Sequence, residues 1–289
     1  MKAFKGRVAV ITGGAGGIGR AMAERFATAG MKIVLADVES GALNRAAREM
    51  RAAGHQVLAV RTDVSKAASV AALARKTVAA FGGVHVLCNN AGIYPPDRFS
   101  PVWEAPLEDW QWALDVNLYG IVHGIRTFMP IMLASGAEGH VVNTASLAGI
   151  ISGSGSAVYG ATKHAVVRLS EAMYASLREQ KAKVDVSVLC PGVVQTGIFQ
   201  SERNRPGKLR GVGAPSKYKS LGDIPMQNAM APADVAEQVF NAVRRRQFYV
   251  ITTTGYDDAI RDRMEAILAR RNPVFPGIRS LYRRNSKAV

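Results

Sequence analysis

Three side chains of this sequence, Ser146, Tyr159 and Lys163, can together move a proton on and off a carbonyl oxygen. Tyr159 lies thirteen residues after Ser146. Lys163 follows the tyrosine by four, one helical turn, so phenol and ammonium share a helix face. A free phenol ionises near pH ~10, and lowering that value by about three units takes roughly 4 kcal/mol of differential stabilisation. An adjacent ammonium works in that direction. Tyr159 is then a general base for oxidising an alcohol or a general acid for reducing a ketone. Ser146, at a strand end, is placed to hydrogen-bond the reacting oxygen, and Lys163 can also hold a nicotinamide ribose. A Tyr-x-x-x-Lys pair on its own is an ordinary accident of exposed helices. A second set of residues gives it meaning.

That set begins with Thr12-Gly13-Gly14-Ala15-Gly16-Gly17-Ile18-Gly19, between an apolar strand and a helix. Gly13, Gly17 and Gly19 allow a turn with positive φ, and the loop from Gly13 through Gly16 to Ile18 offers the free amides of a helix start to a phosphate. Asp37 ends the second strand, 24 residues beyond Gly13. A carboxylate there accepts both adenosine ribose hydroxyls and repels a 2′-phosphate, and Val38 supplies no compensating cation, so NAD is favoured over NADP. Asp63 and Val64, after the third strand, are placed to flank the adenine, with the aspartate facing its amino group. Asn90, Ala91 and Gly92, after the fourth, let backbone come close to the coenzyme.

The elements that must carry these residues alternate. Strands are expected at 8–11, 32–37, 56–61, 84–87, 140–144, 184–189 and 248–252, with helices at 17–29, 39–53, 66–81, 107–134 (one long or two abutting), 157–180 and 232–246. A further helix is expected at 257–271. This pattern predicts right-handed parallel crossovers, hence an α/β, Rossmann-like doubly wound sheet of about seven parallel strands flanked by helices in a single domain over 1–255. Residues 193–231 are too long for an ordinary connection and read as a basic substrate lid. Residues 256–289 read as a terminal helix and peripheral tail.

The chain has 289 residues, 48% of them apolar, enough for one large buried core. No apolar run approaches the ~20 residues of a membrane span. The apolar run after the basic start is too short for a signal peptide core, so a cytoplasmic protein without a membrane partner is expected. Cys88 and Cys190 sit in strand-like apolar runs and read as core residues, not a disulfide. The five histidines show no metal-ligand spacing, so no metal is expected and a zinc-dependent mechanism is unsupported. The net charge is +15. It concentrates in 201–219, with six basic side chains against one acid, and in 261–289, with eight against two. A nearly neutral core with basic appendages does not call for nucleic acid.

With these residues together the chain resembles the short-chain dehydrogenase/reductase family across about residues 6–255. The matching positions are Thr12-Gly13 with Gly17-Ile18-Gly19, Asn89-Asn90-Ala91-Gly92, Asn117, Ser146, Tyr159-Gly160-Ala161-Thr162-Lys163, and Pro191-Gly192-Val193-Val194-Gln195-Thr196. The resemblance implies that Asn117 completes the catalytic set by holding a water that relays protons toward the lysine. It implies that Pro191, Gly192, Val194 and Thr196 contact the nicotinamide and its carboxamide. It also implies a homo-oligomer, a dimer or homotetramer, built on helices 107–134 and 157–180, where Val122, Ile125, Phe128 and Met129 extend the apolar surface beyond one stripe.

The reaction read from these features is interconversion of a secondary alcohol and a ketone with NAD, on a small-molecule substrate. Ile93, Tyr94, Pro95, Pro96, Phe99, Trp103, Leu147, Ile150, Ile151, Ile198 and Phe199 suggest a pocket for a bulky apolar or aromatic compound. The run Arg203–Lys208 is similar in pattern to lignin-type aryl alcohol dehydrogenases of the family, and its basic residues form either a solvated face or a seat for an anionic substituent. The alternatives are an NADP-preferring ketoreductase, an NAD-sensing regulator, a nucleic-acid binder using the basic tail, and a nucleotide-sugar epimerase. The last usually carries different glycine spacing and a larger carboxy-terminal domain.

Overall fold

The computed structural model describes residues 1, 3–95, 101–151, 153, 157–210 and 229–273. Its strands are β1 (Val8–Thr12), β2 (Lys32–Asp37), β3 (Val57–Arg61), β4 (Val86–Asn89), β5 (Gly139–Thr144), β6 (Val184–Cys190) and β7 (Tyr249–Ile251). They form one sheet in the order β3-β2-β1-β4-β5-β6-β7, and every pairing is parallel. The chain winds outward one way from β1 and the other way from β4. Ligand crevices of such sheets open at that reversal, above the strands' carboxyl ends.

Alternation along β1 shows how the sheet is covered. Ala9 and Ile11 pack with residues of α1 (Gly17–Thr28), α2 (Ser40–Ala52) and α7 (Pro232–Arg245). Val8 and Val10 point the other way, toward α3 (Ala67–Phe81), α5 (Gly120–Ala134) and α6 (Ala157–Glu179). With both faces covered, the inner strands read as unbroken apolar runs. Helix α8 (Asp257–Leu268) follows β7.

Two expectations, the bounds of the fourth strand and the outward face of Phe128 and Met129, need correction. The fourth strand is Val86–Asn89, two residues further along at both ends than 84–87; Asn89 pairs in register with Asn143 on β5, and its Nδ2 also donates to Asn143 Oδ1 at 2.9 Å. Residues 107–134 are two abutting helices, one of the two arrangements expected: α4 (Leu107–Ala113) and α5, joined through a π-helical segment, Leu114–Tyr119. Phe128 and Met129 lie in the subunit's own core, so they do not face outward. Of the expected lid, 211–228 lies outside the described residues, as does 274–289 of the tail. Among the described residues no helix is long and apolar enough to cross a membrane, and no group of three or more His, Cys, Asp or Glu is placed to hold a metal. Cys88 and Cys190 are free and buried.

Candidate active site

A cleft of about 800 Å³ opens above the carboxyl ends of the strands and runs from Asp37 past Gly13 and Ser146 to Trp112. Its first half is made largely of backbone. Gly13 and Gly17 have φ of 65° and 52°, and a Cβ on Gly13 would sit 3.0 Å from the Ala91 Cα. Gly19 does not reach the cleft. It lies behind the loop, where a Cβ would fall 2.1 Å from the Gly13 carbonyl oxygen. Gly16 caps α1 with no side chain bonded to the helix amides and no acid in the first turn. Open amides in a cradle where Gly13 and Gly17 leave no room for a Cβ suit a dinucleotide pyrophosphate.

Three side chains fix this loop. Thr12 Oγ1 accepts from the Asn90 and Ala91 amides at 2.9 and 3.0 Å, and Asn90 Nδ2 donates to Thr12 O at 3.0 Å. Asp37 Oδ2 accepts the Ala15 amide at 3.1 Å, and Oδ1 the Glu39 amide at 3.0 Å. Burial raises the Asp37 pKa, and those amides work against the rise. Asp63 and Val64 also line the cleft. Asp63 Oδ1 is shared by the Ser65 amide and hydroxyl, and the Val64 carbonyl meets His123 Nδ1 at 2.9 Å.

The second half collects the expected catalytic side chains. Ser146, Tyr159 and Lys163 all line the cleft, and Ser146 hydrogen-bonds the phenol. Lys163 Nζ lies 5.4 Å from the Tyr159 ring centre and donates to the Thr144 carbonyl at 2.9 Å. The expected sign of the tyrosine's shift is reversed here. Burial pushes Tyr159 up to about 12, with the Ser146 hydrogen bond acting against it and the Cys190 thiol adding to it. Burial likewise pulls Lys163 down to about 8. Withholding water penalises phenolate and ammonium alike, so burial outweighs the pair's attraction.

Asn117 is fully buried with its side chain engaged. Oδ1 accepts the Ile93 amide at 2.8 Å, while Nδ2 donates to Ile93 O at 3.0 Å and Thr162 Oγ1 at 3.2 Å. It is a brace between the loop after β4 and the helix carrying Lys163. Its place in a π-helical segment fits the habit of such segments to mark functional sites. Pro191, Gly192, Val194 and Thr196 line the cleft opposite, and the Thr196 methyl group packs where a Gly17 Cβ would be.

At the substrate end Ile93, Tyr94, Leu147, Ile151, Ile198 and Phe199 line the wall as expected. Tyr94 packs against Tyr159 with the rings tilted by 45° and their centres 4.9 Å apart, and it meets Phe199 edge-on at 5.3 Å. Trp103 is not there: its side chain is 83% exposed. Ile150 packs in the core behind the wall, and Pro96 and Phe99 lie outside the described residues. Trp112, Val116, His164 and Tyr256 were missed. Trp112 had the signal of an aromatic on the helix facing the Tyr159 helix, but only packing reveals which face it presents.

Of the described basic lid residues, Arg203, Lys208 and Arg210 are exposed, as a solvated face would be, and Arg205 is not. Arg203 and Asn204 both donate to Glu39 Oε1, at 2.7 Å each, tying the segment after β6 to the turn after β2. Arg205 is buried on Asp109. Lys208 and Arg210 do not line the cleft.

A doubly wound sheet with serine, tyrosine and lysine gathered over its reversal point defines an oxidoreductase. The family model for short chain dehydrogenases matches residues 7–207. A crystal structure of a short chain dehydrogenase/reductase from Burkholderia phymatum in complex with NAD is 45% identical, with a TM-score of 0.91, over 96% of this chain and 99% of that one. The 1-deoxy-11-beta-hydroxypentalenate dehydrogenase of Streptomyces exfoliatus is 38% identical over 90% of this chain and 88% of the relative. The C alpha-dehydrogenase of Sphingobium sp. strain SYK-6 is 32% identical over 93% and 87%. The chain belongs to the short-chain dehydrogenase family.

Proposed function

We propose that this protein interconverts a secondary alcohol and a ketone, with NAD as hydride carrier and a bulky apolar or aromatic compound as substrate. One observation carries the reading: Ser146, Tyr159 and Lys163 meet in a cleft whose charged lining residues, among those described, are Asp37, Glu39, Asp63, Arg203 and Lys163. The first four belong to the adenosine half. Lys163 is buried beneath the tyrosine. Around the phenol the walls are aromatic and aliphatic, which suits an uncharged, bulky partner.

The nicotinamide, when bound, accepts or supplies the hydride. Tyr159 takes the hydroxyl proton during oxidation and returns it during reduction, and Ser146 donates a hydrogen bond to the same oxygen. Lys163, bonded to the Thr144 carbonyl, sets the electrostatics beneath the phenol. On the adenosine side Asp37 would take the ribose hydroxyls, Asp63 and Val64 the adenine, and Gly13, Gly16, Gly17 and Ile18 the pyrophosphate. Asn90, Ala91, Gly92, Pro191, Gly192, Val194 and Thr196 would enclose the nicotinamide half. Arg203, the cation of that end, is committed to Glu39, which supports NAD over NADP. Exposed Tyr119, Leu133 and Tyr174 on the helices expected to pair support a dimer or tetramer; a single-subunit mass in light scattering would remove that part.

The test is a panel of secondary alcohols of increasing bulk, followed by NADH absorbance with NAD and with NADP. Bulky uncharged alcohols should turn over with NAD. Asp37→Ser with Val38→Arg should shift preference toward NADP, and unchanged selectivity would refute the role given to that carboxylate.

A further inference from the structure

Trp112 lines the cleft, and its surroundings are unusual for a wall residue. It is 2% exposed and belongs to a small cluster with Ile93 and Val158, the chain neighbours of Tyr94 and Tyr159. Over its ring lies the Arg205 guanidinium, 4.6 Å from centroid to carbon. That guanidinium is ion-paired with Asp109, one turn before Trp112 on α4, and both side chains are almost wholly buried, at 4% and 5% exposure. Its remaining bonds go to Glu202 at 2.9 Å and to the Leu209 carbonyl at 2.8 Å. A planar cation is thus wedged between α4 and the segment after β6, stacked on the tryptophan.

Burying an ion pair is a poor way to gain stability, since apolar side chains of the same volume serve as well or better. What a guanidinium adds is orientation: a flat plate held at three edges presents one face to an aromatic ring. Leucine or methionine would fill the space and leave the ring free to tilt. We propose that Asp109 and Arg205 are positioning residues that hold Trp112 as a rigid wall and thereby set the upper size limit of the substrate. This rests on reading the cleft as an alcohol and ketone site.

The experiment compares wild type, Trp112→Leu, Arg205→Lys and the paired variant Asp109→Leu/Arg205→Met, which leaves no buried charge unmatched. Along a series of secondary alcohols of growing bulk, the ratio of kcat/KM for the largest to the smallest should rise about tenfold in the paired variant, the scale of a methylene-sized change in an apolar pocket. The shift should appear in KM, with kcat for the smallest alcohol and its pH profile unchanged. Trp112→Leu should move the ratio the same way. Arg205→Lys keeps the charge without the plate and should move it less. A paired variant that melts lower but keeps the wild-type size profile would overturn the proposal and leave the ion pair a fold staple.

If wild type oxidises no alcohol of the series with either coenzyme, the functional reading fails, and the ring itself still decides the positioning claim. With Trp103→Phe and Trp110→Phe as background, Trp112 is the sole remaining tryptophan. Its time-resolved fluorescence anisotropy should show faster local motion in the paired variant. Unchanged anisotropy would refute the positioning role.

Discussion

The two ends of the cleft are built from different materials. At the adenosine end the shape comes from main chain: glycines at positive φ, open amides of α1, and strand ends fixed by Thr12, Asn90 and Asp37. At the substrate end it comes from side chains contributed by segments far apart in sequence, with Tyr94, Trp112, Tyr159 and Phe199 meeting only in the folded protein. A backbone-built site demands particular residue types at particular spacings. A side-chain-built site demands only that enough apolar volume arrive.

The largest effect expected on either side is at the junction. Tyr159→Phe should lower turnover by about 10²–10⁴-fold, the range of a lost general acid or base, while coenzyme affinity by fluorescence titration stays near wild type. Its pH behaviour tests the pairing with Lys163. With the phenol near 12 and the lysine near 8, the proton lost around pH 8 is the lysine's, and Tyr159 is still a neutral phenol there. Oxidation needs the phenolate form, so kcat/KM should go on rising with pH above 8 as phenolate accumulates. Reduction uses the neutral phenol and should bend near 8 only as far as the Lys163 charge assists it. Lys163→Met removes the group that titrates near 8 and should leave only the limb that climbs toward the tyrosine's own value. A limb left near 8 in that variant would show that Lys163 does not set it.

Legibility followed the same divide. Gly13, Gly17, Asp37, Ser146, Tyr159 and Lys163 were readable because strand ends and a helical turn fix their placement before any packing is known. The parallel sheet was readable from its alternation. The sign of the Tyr159 shift was not, since spacing shows the ammonium nearby and says nothing of how little water reaches either group. The partners of Arg203 and Arg205 were hidden for a similar cause. In the sequence they are two members of a basic run; in the fold one reaches Glu39, 164 residues away, and the other reaches Asp109, 96 away.

A smaller effect should separate the two building styles at the glycine loop. Gly19→Ala puts a methyl group 2.1 Å from a carbonyl oxygen that belongs to backbone and cannot step aside. Overpacking of this kind costs about 1–3 kcal/mol, so coenzyme affinity and melting temperature should both drop. Gly16→Ala, where a Cβ meets nothing within 4 Å, should leave stability intact. Any affinity lost in that variant would then report on the ligand alone. Equal melting temperatures for the two variants would contradict a loop shaped by backbone contact.

The smallest effect is at Glu39, where the segment after β6 is strapped to the adenosine end. The Glu39–Arg203 pair is 31% and 48% exposed, and exposed pairs contribute only about 0.2–1 kcal/mol. Glu39→Gln should therefore leave the melting temperature nearly unchanged. It should speed coenzyme release in stopped-flow fluorescence by up to about fivefold, because that contact holds the segment lying along the cleft. The hydrogen bond from Arg203, helped by that from Asn204, lowers the Glu39 pKa below its ordinary 4.5. A depressed carboxylate stabilises above its unfolded value and loses that contribution as pH falls through the folded one. The strap should hold unchanged from neutral pH to about 5 and loosen only in stronger acid, with added salt acting in the same direction at neutral pH. Release rates that ignore both salt and the substitution would mean that the buried Arg205 anchor alone keeps the segment down.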